Sequence, residues 1–146
     1  MTSAQYFFTH DAIIDAPASR VAEVLVDLEL YPTWWPQVRA VASLGPDDAW
    51  VICRSALPYH LELHLTALRR DPEHLEVAID GPIRGFARWQ LSQSGVGTAL
   101  HFTQAVEAQG ALAVASRVLR PLLTRNHEVM MRGCVQGLRD ALASPA

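Results

Sequence analysis

Between Gln37 and Gln109 apolar side chains recur at every second residue, in short runs divided by turn signals, and beyond Gln109 the period changes to that of a helix. Period two marks a strand with one apolar face; a period of 3.6 marks an amphipathic helix. A sheet that is apolar on one face must be covered, and the last third of the chain is the one stretch with the length to cover it.

The runs are Gln37–Leu44, Ala49–Leu57, Tyr59–Leu68, Leu75–Asp80, Arg84–Ser92 and Thr98–Gln109. Gly45-Pro46-Asp47-Asp48, Arg70-Asp71-Pro72-Glu73, Asp80-Gly81-Pro82 and Ser94-Gly95-Val96-Gly97 separate them as turns. Leu61, Leu63 and Leu65 share one face, opposite His60, Glu62, His64 and Thr66. Leu75, Val77 and Ile79 do the same, as do Ala87, Trp89 and Leu91, then Leu100, Phe102 and Val106. With the strand that ends at Ile13-Ile14, about seven antiparallel strands are predicted. Leu112–Leu119 reads as helix; Pro121 either kinks it or starts a longer helix reaching about Leu142. The expected apolar stripe is Leu119, Leu122, Leu123, Met130, Met131, Cys134, Leu138 and Ala141.

Ile13–Pro36 adds a strand end, a short helix and a bend. Pro17 suits a first helical position, where no backbone N–H is needed. Val21, Val24, Leu25 and Leu28 form one apolar face. Tyr31-Pro32-Thr33-Trp34-Trp35-Pro36 then stops the helix and holds three large rings at the bend. Ile14, Ala16, Pro17, Val21, Leu25, Tyr31, Pro32, Trp34 and Pro36 together resemble the opening of the START/polyketide-cyclase-like superfamily, the helix-grip proteins. The resemblance implies an α+β fold, a curved antiparallel sheet gripping a long C-terminal helix, as one domain over residues 1–146. It also implies a mostly apolar cavity between sheet and helix. Asn126-His127-x-x-Met130-x-x-Gly133-x-x-x-Gly137-Leu138 and the region from Leu57-Pro58 to Gly85 resemble a bacterial branch of the cyclase-like group, from which no catalytic role carries over.

Composition narrows the function classes. A formal charge of −3 without a basic run argues against nucleic acid. All 12 basic residues are arginine, which reads as base composition rather than chemistry. Cys53 and Cys134 form no motif and are expected as reduced, buried thiols. The N-terminus lacks the basic-then-apolar pattern of a secretory signal, and no window has the length of a membrane span, so a cytoplasmic location is expected. A homodimer is among the expected states.

Asn126, the sole asparagine, and His127 fall inside the apolar stripe. A buried amide or imidazole needs partners or a ligand; the bland alternative is that the pair bonds to a strand and only fixes the helix. Gln104 is in phase with Leu100, Phe102 and Val106, which leaves two readings: it points inward as an orienting group in a small-ligand pocket does, or a bulge near the strand end turns it outward. Gly133 and Gly137, one turn apart, are expected to allow close helix–sheet packing. Aromatic polyketide cyclases hold substrate with an inward arginine; Arg84 and Arg88 alternate outward here, and Arg54 is ambiguous. His60 and His64 stand ~13 Å apart on a strand, too far to share a metal ion, so neither metal nor cofactor is expected. The expected ligand-binding set is Trp34, Trp35, Arg54, Trp89, Gln104, Leu123, Asn126, His127 and Met130, around a hydrophobic small molecule such as a polyketide, lipid or isoprenoid. The alternative is a cyclase/dehydratase with His127 as acid/base and Asn126 as donor to a developing enolate. A second alternative is a co-chaperone-like interaction domain.

Overall fold

The computed structural model describes residues 5–54 and 60–143. Strand β1 (Gln5–Ile14) leads into helix α1 (Ala18–Val26), a 3-10 turn (Leu28–Leu30) and the short helix α2 (Tyr31–Trp34). Six strands follow: β2 (Val38–Ser43), β3 (Asp48–Arg54), β4 (His60–Asp71), β5 (His74–Asp80), β6 (Ile83–Ser94) and β7 (Gly97–Ala108). Helix α3 (Gly110–Ala143) closes the chain. The strands form one sheet in the order β1-β7-β6-β5-β4-β3-β2, and every neighbouring pair is antiparallel. This is the predicted helix-grip arrangement. The predicted extension of β3 past Arg54 and the start of β4 at Tyr59 lie outside the described residues.

Alternation does the sorting. In β1 the even-numbered residues Tyr6, Phe8, His10, Ala12 and Ile14 turn inward, while their odd neighbours are exposed. Register breaks at Val38/Ala40 and Ala67/Arg69 mark bulges or irregularities; a bulge bends its strand and adds local twist.

Helix α3 runs through Pro121 as a single helix of 34 residues. Proline removes a donor and frees the carbonyl four residues earlier. Both Pro121 and Arg117 lie on the solvent side, where water takes up the lost bond. The predicted stripe needs one correction: Leu122 is half-exposed, because Leu123 occupies the inward seam and Leu122 is turned about 100° from it, beside exposed Val118.

The core is uneven along this helix. Met131, Cys134, Val135, Leu138 and Leu142 of its C-terminal half are buried in the hydrophobic cluster that also holds Val21 and Leu25 of α1, Trp34 of α2 and Leu91 and Leu100 of the sheet. Burial pushes both thiols up, that of Cys53 to about 12, so both stay protonated and inert at neutral pH. In the N-terminal half Ser116 is the one buried residue.

Gly137 and Gly133 allow close packing, as expected, but against the aromatic bend rather than the sheet. A Cβ on Gly137 would fall on the Trp34 backbone carbonyl, and one on Gly133 would meet the end of the Gln37 side chain. At the far side of the core, the fully buried Thr98 hydroxyl donates to the Ala16 carbonyl (2.7 Å), tying β7 to the turn before α1. Thr98→Val keeps the shape and strands that carbonyl; a loss of about 1–2 kcal/mol is expected in urea unfolding.

Candidate functional site

Where the N-terminal half of α3 crosses the sheet, a cavity of about 340 Å³ remains. Its origin is local. At mid-sheet the inward rung is Val77, Ala87 and Gln104. The small side chain of Ala87 leaves space beneath Leu123, Asn126, His127 and Met130, which form the helical roof. Leu61, Leu63 and Leu65 of β4 and Trp89 of β6 complete an apolar wall. At one end the lining becomes polar and exposed, with Asp27 and Glu29 facing Asp47, Arg69 and Arg70, so the cavity opens there. Arg70 is tied to Asp47 (2.7 Å) and Arg69 to Asp71 (2.5 Å).

His127 is the centre of the polar part. Its Nε2 lies 3.1 Å from Gln104 Oε1, so in that tautomer the imidazole donates to the carboxamide. Its ring stacks on Phe8, with centroids 3.8 Å apart and planes within 7°, and more loosely on Phe102 at 6.0 Å. Phe8 and Gln104 are direct cross-strand partners, so one rung of the sheet supplies both contacts. Burial pushes the imidazole down to about 4, with His10 adding a smaller like-charge effect. At neutral pH it is therefore uncharged. With its N–H committed to Gln104, it serves the cavity as a flat wall rather than as a proton donor.

The bend is built as one block. Trp35 lines the cavity and donates Nε1–H to the Met130 carbonyl (3.0 Å), fastening the bend to the roof. Its ring stacks on Trp34 at 5.8 Å. Trp34 is buried but stands behind Trp35, outside the lining, with Tyr31 edge-on at 4.8 Å. Tyr31 donates to the Leu25 carbonyl, and burial drives its phenol far above the usual range.

Of the expected set, the structure thus brings Trp35, Trp89, Gln104, Leu123, Asn126, His127 and Met130 to one cavity. Arg54 does not join them: β3 turns Ala49, Val51 and Cys53 inward, which leaves Arg54 exposed at the strand end. Arg84 and Arg88 face outward as read, bonded to Asp80 (3.1 Å) and Glu76 (2.9 Å). Arg88, with His74 behind it, holds the Glu76 carboxyl below its usual range. His64 is engaged with Asp48 at 2.9 Å. Sequence reasoning missed Tyr6 and Phe8, both of which line the cavity. The signal for them is their shared parity with Ile14; in the sequence alone the strand is evident only at Ile13-Ile14.

A family model described as polyketide cyclase / dehydrase and lipid transport matches residues 7–143. Among solved structures, a START superfamily protein from Mycobacterium smegmatis is 13% identical, covers 94% of this chain and 97% of its own, and superposes with a TM-score of 0.79. A Thermus thermophilus protein is 17% identical over 94% and 97% of the two chains, with a TM-score of 0.83. An aromatase/cyclase from a Streptomyces species is 15% identical over 95% and 94%, with a TM-score of 0.79. At such identities the likeness is one of fold. No curated protein matches by sequence. No helix among the described residues is long and apolar enough to cross a membrane.

Proposed function

The chain belongs to the polyketide cyclase/dehydrase and lipid-transport family, and from that premise we propose that it binds a hydrophobic small molecule of polyketide, lipid or isoprenoid type between sheet and helix. The observation that carries this reading is the cavity itself, about 340 Å³ with an apolar wall and one small polar cluster. That volume is at the low end of the range for small-ligand sites, and the pattern of few polar groups on an apolar lining is theirs. Binding is favoured over acid–base catalysis because the one imidazole at the site is uncharged, stacked and already bonded.

Native mass spectrometry of the purified protein, before and after solvent extraction, tests whether a ligand is retained. A homologous series tests the cavity directly. Each methylene moved from water contributes about 0.8 kcal/mol, so affinity for 1-alkanols is expected to rise about fourfold per carbon and level off once the cavity is full. Ala87→Phe, which projects a ring into the space, is expected to weaken binding at least about tenfold while leaving the fold intact. An affinity that ignores both chain length and Ala87→Phe would place any binding elsewhere.

A further inference from the structure

Tyr6 is 93% removed from solvent, at 7% exposure, and its hydroxyl has no hydrogen-bond partner among the described residues. Two other buried polar atoms share that condition, Trp34 Nε1 and Gln37 Oε1, but neither residue lines the cavity; Tyr6 does. A buried hydroxyl without a partner is costly and uncommon in folded proteins. Here the ring is also held in place. It stacks against Phe8 at 5.8 Å and 17°, and the Arg120 guanidinium lies over it at 4.3 Å. Arg120 is in turn fixed by the Gln5 carbonyl at 2.7 Å. Tyr6, Phe8 and His127 thus form a stacked row of three rings along the cavity wall.

Resting on the cavity reading above, we propose that the Tyr6 hydroxyl is the polar anchor of the site, and that it selects apolar ligands carrying an uncharged oxygen, a ketone or an alcohol, over carboxylates. A ligand oxygen at Tyr6 supplies the partner that the protein leaves out. A ketone accepts from the phenol; an alcohol can accept or donate. A carboxylate meets a different environment. The polar side chains of the inner lining are the His127 imidazole, bonded to Gln104, and two amides, Gln104 and Asn126. The cationic lining residues, Arg69 and Arg70, stand at the exposed mouth, each paired with an aspartate. An anion entering also passes Asp27, Glu29, Asp47 and Asp48, and then gives up its water with no cation in the inner lining to replace it: the Arg120 guanidinium beside Tyr6 is outside the lining, lies over the ring and is bonded to the Gln5 carbonyl.

The test uses three probes of one shape: 2-acetylnaphthalene, 2-methylnaphthalene and 2-naphthoate, titrated at pH 7 against the wild type and Tyr6→Phe. In the wild type the ketone is expected to bind tightest and the carboxylate at least about tenfold more weakly. In Tyr6→Phe the ketone-to-hydrocarbon affinity ratio is expected to fall roughly five- to tenfold. The urea midpoint of Tyr6→Phe should equal or exceed that of the wild type, because the change removes an unpartnered buried oxygen. Carboxylate bound as tightly as ketone, or an unchanged ratio in the variant, overturns the anchor while leaving the cavity reading intact. Failure of all three probes to bind overturns the cavity reading and the anchor with it. The wild-type comparison decides between ketone and carboxylate whatever the variant's stability.

Discussion

Gly137→Ala is expected to destabilise the protein by about 3 kcal/mol, although alanine is the better helix former. At an exposed helical site the same change adds about 1 kcal/mol of stability. The difference lies in what the new methyl meets. On Gly137 it lands on the Trp34 carbonyl, a backbone atom that cannot swing aside. Trp34 is fixed by Tyr31 and Trp35, and Trp35 is bonded to Met130 on α3 itself. To admit the methyl, the whole bend has to move off the helix. Gly133→Ala is the control. Its methyl meets the end of the Gln37 side chain, which can rotate away, so a change within about 1 kcal/mol is expected. Urea midpoints for the two variants decide the matter, and a Gly137→Ala protein as stable as the wild type would refute the packing argument.

The second large effect is a pH dependence that comes from His127. Its folded-state value, about 4, lies below the ordinary histidine value of 6.5. Between those values the unfolded chain binds a proton that the folded chain refuses, so stability rises with pH across the window. The contribution is complete above about pH 6.5, declines as the pH falls, and is lost by about pH 4; the full amplitude is about 3 kcal/mol. In His127→Phe the stack on Phe8 is retained and the titration is gone. Unfolding free energies at pH 7.0, 5.5 and 4.5 should therefore converge, the wild type losing more on acidification. Glu76 and Asp80, held low by Arg88 and Arg84, add their own acid sensitivity, but equally in both proteins. Parallel pH profiles would show that the imidazole is not buried uncharged.

Much of this architecture is legible in the residues because the signals are redundant. The inward row of β4 is announced by Leu61, Leu63 and Leu65, and the hairpins by Gly-Pro-Asp-Asp and Gly-Val-Gly. Parity allows Gln104 an inward place but does not exclude a bulge, and the unbroken register of β7 with β1 and β6 is what puts it there; the helical phase puts Leu123, Asn126, His127 and Met130 on one side. What could not be read was distance along the third dimension. Nothing in the order of residues says that Trp35 forms the wall while Trp34 stands behind it, since both are tryptophans at one bend. Arg54 was ambiguous because both faces of its strand carry apolar residues, and only pairing with β2 and β4 settles which face is inside. Propensity leaves Pro121 as either a kink or the start of a longer helix; its solvent-facing position lets one helix run through it. Tyr6 shares the parity of Ile14, but no sequence pattern shows that its buried hydroxyl is without a partner among the described residues.

The pairing of β1 with β7 joins Gln5 to Glu107, the longest leap in sequence made by any strand pair of the sheet. Every other rung of the barrel-like wall links consecutive segments and can zip up as a succession of hairpins. Closing so wide a loop is entropically late and slow. A nascent chain therefore emerges with Phe8 long before Gln104, its cross-strand neighbour, and the wall that these two residues share cannot form until β7 has been made.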